Sequence, residues 1–81
     1  MDERTVRNAI SRILASIAPE VSLDRIVATE PLRDQVDLDS MDWLNFIVGL
    51  HEQLHVDIPE ADYRKLRTLD ELVAYLRSKS P

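Results

Sequence analysis

Three observations predict an all-α fold, a four-helix bundle of three major helices plus one short helix, with a long loop after the first. Apolar residues recur at helical spacing in three separate stretches, each opened by a residue suited to cap a helix. The composition, 44% apolar with a single Gly and 5% aromatic, suits a small bundle better than a sandwich or barrel. An 81-residue chain supports one modest core, so residues 1–81 are expected to form a single domain too small for a deep catalytic cavity.

The first helix is predicted to run from a cap at Asp2 or Thr5 to about Ile17, with Val6, Ile10, Ile13, Leu14 and Ile17 on one stripe and Pro19 just beyond its end. From Pro19 to Leu38 the apolar residues Val21, Leu23, Ile26, Val27, Leu32, Val36 and Leu38 lack sustained periodicity. So long a connection is expected to be packed over the bundle, with a short turn opened by Ser22 or Asp24 and with Glu30 held extended by Pro31.

The second long helix spans Asp39 to Leu54 and carries two apolar stripes. Trp43, Phe46, Ile47, Leu50 and Leu54 follow helical spacing and form the core face. Met41, Leu44 and Val48 form another, centred roughly 140° away at about 100° per residue. A helix packed on one side needs one stripe, so the second is covered by another part of the chain or left open to a partner. Asp42, Asn45, Gly49, Glu52 and Gln53 form a polar seam between them.

Beyond it, Pro59 is placed at the first position of a short helix ending near Leu66 and anchored by Tyr63 and Leu66. Thr68 and Glu71 then match a capping box for a last helix with core positions Leu69, Leu72, Val73 and Leu76, and Arg77 and Lys79 suit its C-terminal dipole. Ser80 and Pro81 are expected to fray.

Charge and composition narrow the function. From Asp34 through Tyr63 there are eight acidic residues and no Lys or Arg, against seven acids and ten bases elsewhere. That field repels nucleic acid and steers basic protein surfaces. No stretch reaches membrane-spanning length and the first helix is too charged for a signal peptide, so a cytoplasmic protein without membrane insertion is expected. Without Cys, thiolate metal sites and cysteine nucleophiles are excluded, and any thiol chemistry needs a prosthetic arm.

The start of the second long helix concentrates what remains. Asp39 is a strong N-cap, and Ser40 falls at the first helical position beside the positive end of the dipole, where a phosphate ester is held favourably. Asp39-Ser40-Met41-Asp42, followed by Leu50-His51-Glu52-Gln53-Leu54, Ile58-Pro59 and Thr68-Leu69, resembles the acyl carrier proteins over nearly the whole chain. Met41 stands where leucine is usual, a mild swap. Asp37 stands where glycine commonly precedes the motif, which suggests a loop with no need of a glycine conformation there.

The resemblance implies a carrier and not an enzyme, with no catalytic residues and no metal. A phosphopantetheinyl transferase would attach 4′-phosphopantetheine from coenzyme A to Ser40, and the arm would hold acyl or aminoacyl intermediates as thioesters in fatty acid biosynthesis, other lipid metabolism or a specialised pathway. Asp39 would shape the attachment site. Met41, Asp42, Leu44, Val48 and Glu52 would dock a monomeric carrier on acyl-loading and acyl-transfer enzymes with basic patches. Asn45 and His51 stand where carriers of fatty acid synthesis tend to be acidic, which is compatible with a specialised system and leaves fatty acid, polyketide, peptide and cell-envelope chemistry all open. Trp43 and Phe46 are most simply core, with lining of the acyl space as a second role. The alternative is an unmodified interaction module using the same acidic helix.

Other motifs fare worse. His51-Glu52-Gln53-Leu54-His55 matches the zinc protease pattern, but Val56, Asp57 and Pro59 end the helix and no third His or Cys exists. His51 is expected to make a polar contact at the edge of the second stripe. It also lies eleven residues from Ser40, about 16 Å by helical rise, so the two form no catalytic pair. Asp37, Asp39 and Asp42 lack the glycine and terminal glutamate of a calcium loop.

Overall fold

The computed structural model describes residues 2–79, which form helices α1 (Glu3–Ile17), α2 (Leu32–Val36), α3 (Ser40–Leu54) and α4 (Leu69–Lys79), with 3-10 segments at Leu23–Arg25 and Glu60–Lys65. The predicted helical bundle is present, with α1 packed against both α3 and α4. Its core holds no buried polar or charged residue among those described.

Helix α1 starts where Asp2 caps it, its Oδ1 accepting from the Thr5 N–H at 2.8 Å. That backbone hydrogen bond holds the Asp2 carboxyl below the usual carboxylate range. The helix buries Val6, Ala9, Ile10, Ile13 and Leu14, while Ile17 is only half-buried. Gly49, read as part of a polar seam, instead faces α1: a Cβ there would lie 2.9 Å from Ile13 Cγ2. Its missing side chain lets the two longest helices approach.

The long connection is packed, as its apolar content predicts. Ala18, Leu32, Val36 and Leu38 are buried, and Val21, Leu23 and Ile26 pack against the core, but Val27 is 53% exposed. It also contains α2, where the sequence pattern predicts only loop. Five residues without a side-chain cap give no periodic signal; tertiary contacts hold them. Gln35 ties the segment together by accepting from the Val27 N–H (2.8 Å) and donating to the Val27 and Glu30 carbonyls (2.9 and 3.1 Å). The Leu32 N–H donates to the Arg67 carbonyl (2.8 Å) and the Asp70 N–H to the Ala28 carbonyl (3.1 Å), pinning α2 beside the start of α4.

The short helix before α4 is a 3-10 segment, and Pro59 is not its first residue: extended at φ −67°, ψ 148°, it precedes Glu60 as the cap. Leu66 is buried and Tyr63 half-buried. Tyr75 on α4 donates to Asp62 Oδ2 at 2.6 Å, and Lys65 pairs with Asp62 at 3.3 Å. Burial, and then the hydrogen bond to Asp62, push the Tyr75 hydroxyl up to about 12, while that bond holds the Asp62 carboxyl low. Thr68 caps α4 as predicted, its hydroxyl accepting from the Glu71 N–H at 3.0 Å, and Leu69, Leu72, Val73 and Leu76 fill the core. Ser80 and Pro81, expected to fray, lie outside the described residues.

Candidate functional site

The junction of α2 and α3 builds the site. Asp37 ends α2 in the left-handed conformation (φ 56°, ψ 47°), its N–H donating to the Arg33 carbonyl at 3.1 Å. The expectation that this loop needs no glycine-like conformation is therefore wrong. Aspartate tolerates the left-handed region better than most residues, so the turn is kept without the glycine. Leu38 then buries itself, and Asp39, extended, accepts from the Asp42 N–H through Oδ1 at 2.8 Å. Ser40 follows as the first residue of α3, exposed beside the unpaired N–H groups of the first turn.

From Ser40 the two stripes of α3 separate as their spacing predicts. Trp43, Phe46, Ile47, Leu50 and Leu54 are buried. Met41, Leu44 and Val48 are 69%, 45% and 43% exposed, so no other part of the described chain covers them. Asp42 is half-buried, while Asn45 and Glu52 are exposed next to this face.

The histidine pair does not form a metal site. His55 leaves the helix in the left-handed conformation (φ 53°, ψ 40°), so the two imidazoles do not share a helical face. His51 makes the expected polar contact, and its partner is the helix end: its Nδ1 lies 2.8 Å from the Val56 carbonyl, which can only accept, so the ring donates there and closes the helix. Among the described residues no three His, Asp or Glu side chains are placed to hold a metal ion, the Asp37, Asp39 and Asp42 trio included.

Beside Ser40 opens a cleft of about 1010 Å³. Leu38, Trp43, Tyr63 and Leu66 give it an apolar and aromatic lining, and Arg33, Arg64 and Arg67 stand around it with Asp34 and Asp37. Arg33 lies 5.8 Å from the Trp43 ring centroid and donates to the Leu38 carbonyl at 3.4 Å. Of the two aromatics considered for an acyl space, Trp43 reaches the cleft, whereas Phe46 is fully buried, its ring centroid 5.4 Å from that of Trp43. No sequence pattern marks the three arginines as a group, because residues 33, 64 and 67 converge only through tertiary packing.

A family model described as "phosphopantetheine attachment site" matches residues 4–76. The chain belongs to the acyl carrier protein family. It is 30% identical to the acyl carrier protein of Lactobacillus acidophilus over 78 residues, 96% of each chain. It is 33% identical to that of Lactobacillus johnsonii over 76 residues, 91% of this chain and 95% of the other. The solved structure of the acyl carrier protein from Enterococcus faecalis shares the fold, with a TM-score of 0.76 at 21% identity over 99% of this chain and 100% of that one. Membership implies a covalently attached 4′-phosphopantetheine. The residues fit the group: an exposed hydroxyl at the positive end of a long helix, with Asp39 committed to the cap, leaves Ser40 open to carry a phosphodiester.

Proposed function

We propose that Ser40 is the attachment residue and that residues 1–81 work as a single monomeric, cytoplasmic carrier domain. The Ser40 hydroxyl attacks the pantetheine-bearing phosphorus of coenzyme A on a phosphopantetheinyl transferase, and the bond from that phosphorus to the bridging pyrophosphate oxygen breaks. A phosphodiester forms, 3′,5′-adenosine bisphosphate departs, and the hydroxyl proton passes to the transferase or solvent. The group supplies a thiol that this cysteine-free chain lacks, able to hold acyl or aminoacyl cargo as a thioester for a lipid or specialised pathway. The chain contributes orientation and recognition rather than catalysis.

The observation that carries this reading is the exposed serine at the head of the helix that also carries the uncovered apolar stripe. Asp39 shapes the attachment turn. Met41, Leu44 and Val48 form the apolar centre of the docking face, and Asp42 and Glu52 give it charge that attracts basic patches on loading and transfer enzymes. Intact mass after incubation with coenzyme A and a broad-specificity transferase should rise by one phosphopantetheine group, and Ser40→Ala should gain nothing. If the folded parent gains no mass, the acidic helix is better read as an unmodified interaction module. Asp42→Lys with Glu52→Lys should slow loading at low ionic strength and lose that effect as salt is added; an unchanged rate at low salt would remove the steering role.

A further inference from the structure

The cleft beside Ser40 gathers three arginines from the two flanks of the acidic, base-free segment 34–63. Arg33 and Arg64 bracket the base-free segment in sequence and meet again around one opening, where Arg67 joins them. Arg64 and Arg67 have no ion pair and no side-chain hydrogen bond among the described residues, and Asp34 and Asp37, on the same rim, lie beyond salt-bridge distance of them. Their guanidinium forks are open, therefore, above a lining of Leu38, Trp43 and Leu66. Leu38 is two residues before Ser40, so the cleft begins within about 8 Å of the Ser40 Cα, two Cα steps of ~3.8 Å.

An apolar lining with unpaired guanidiniums beside it suits a ligand that is apolar along its length and anionic at its end. Guanidinium is the side chain that grips a carboxylate by two parallel hydrogen bonds. Asp34 and Asp37 repel an anion from their part of the rim, which directs it towards Arg64 and Arg67. Arg33, already engaged by Trp43 and the Leu38 carbonyl, is held in place as part of the wall. We propose that this cleft selects acyl cargo ending in a second, free carboxylate, which Arg64 and Arg67 bind; the proposal rests on the carrier reading of Ser40.

The test loads the full chain from coenzyme A, hexanoyl coenzyme A and adipoyl coenzyme A, the last two matched in carbon number and differing in the terminal carboxylate. Intact mass is read first; a folded chain that gains nothing from any donor overturns the carrier reading and this proposal with it. Once loaded, the adipoyl form should melt about 2–4 °C above the hexanoyl form at low salt, with the Arg64 and Arg67 side-chain NMR signals shifted. Both effects should fade at about 0.5 M salt and vanish in Arg64→Gln with Arg67→Gln, whose coenzyme A-loaded form should melt like the parent's. Equal melting of the adipoyl and hexanoyl forms, with unmoved arginine signals, overturns the selection. Arginine signals that already shift in the coenzyme A-loaded form assign the anion to the phosphodiester of the arm and overturn the cargo assignment.

Discussion

Helix α3 presents two apolar faces made of similar residues. Leu50 on one face is fully buried, whereas Leu44, six residues earlier on the other, is 45% exposed. Hydrophobicity alone does not separate them. What does is the neighbour each face meets: α1 packs on one side, and no described part of the chain reaches the other. The same chemistry thus serves stability on one face and, as proposed, recognition on the other.

Truncation across the two faces should give the largest contrast. Leu50→Ala is expected to cost about 2–5 kcal/mol, because the lost transfer free energy is joined by a cavity in a closed core. Leu44→Ala is expected to stay within about 0.5 kcal/mol of the parent in stability. It should nevertheless slow loading by the transferase, which Leu50→Ala should do only to the extent that it unfolds. Chemical denaturation and loading rates measured on both variants check the contrast; similar stability losses would show the exposed face to be structural.

A change between the faces sharpens the comparison with a smaller effect. Gly49→Ala adds helix propensity worth about 1 kcal/mol, but its Cβ meets Ile13 Cγ2 at 2.9 Å, and overpacking costs about 1–3 kcal/mol. A net loss of about 1 kcal/mol is the expected outcome of denaturant unfolding. A net gain would mean that Ile13 gives way without cost and that the close helix approach is incidental.

Most of the bundle was legible because long amphipathic helices announce themselves by spacing. The five core positions of α3, the caps at Asp39 and Thr68, and the presence of a second apolar stripe followed from residue type and period, whereas the choice of Asp2 over Thr5 as the first cap and the exposure of that stripe depend on the folded chain. What escaped depended on contacts distant in sequence. Helix α2 is too short to show a period, and it and the loop before it are held by backbone bonds to Arg67 and Asp70. The arginine cleft joins residues about thirty positions apart. His51 turned out to close a helix end because His55 reverses the chain, a conformation that a histidine does not advertise.

The two ends of α3 supply the smallest expected effect. Both are left-handed turns made without glycine, at Asp37 before the helix and His55 after it, while the only glycine in the chain lies inside the helix. A left-handed residue with a Cβ is strained by about 1–2 kcal/mol, less for aspartate, whereas glycine relieves the strain but loses more entropy on folding. Asp37→Gly and His55→Gly should therefore stabilise by no more than about 1 kcal/mol each, and Asp37→Ala should destabilise by about 1 kcal/mol. At the entry turn the loading rate carries the sharper information. Since Asp37 lies three residues before Ser40, Asp37→Gly should preserve both the turn and the rate if backbone conformation is all that this position supplies. A slower rate with unchanged stability would assign the Asp37 carboxylate to the acidic field that the transferase reads, and would extend the recognition face of α3 back across its N-terminus.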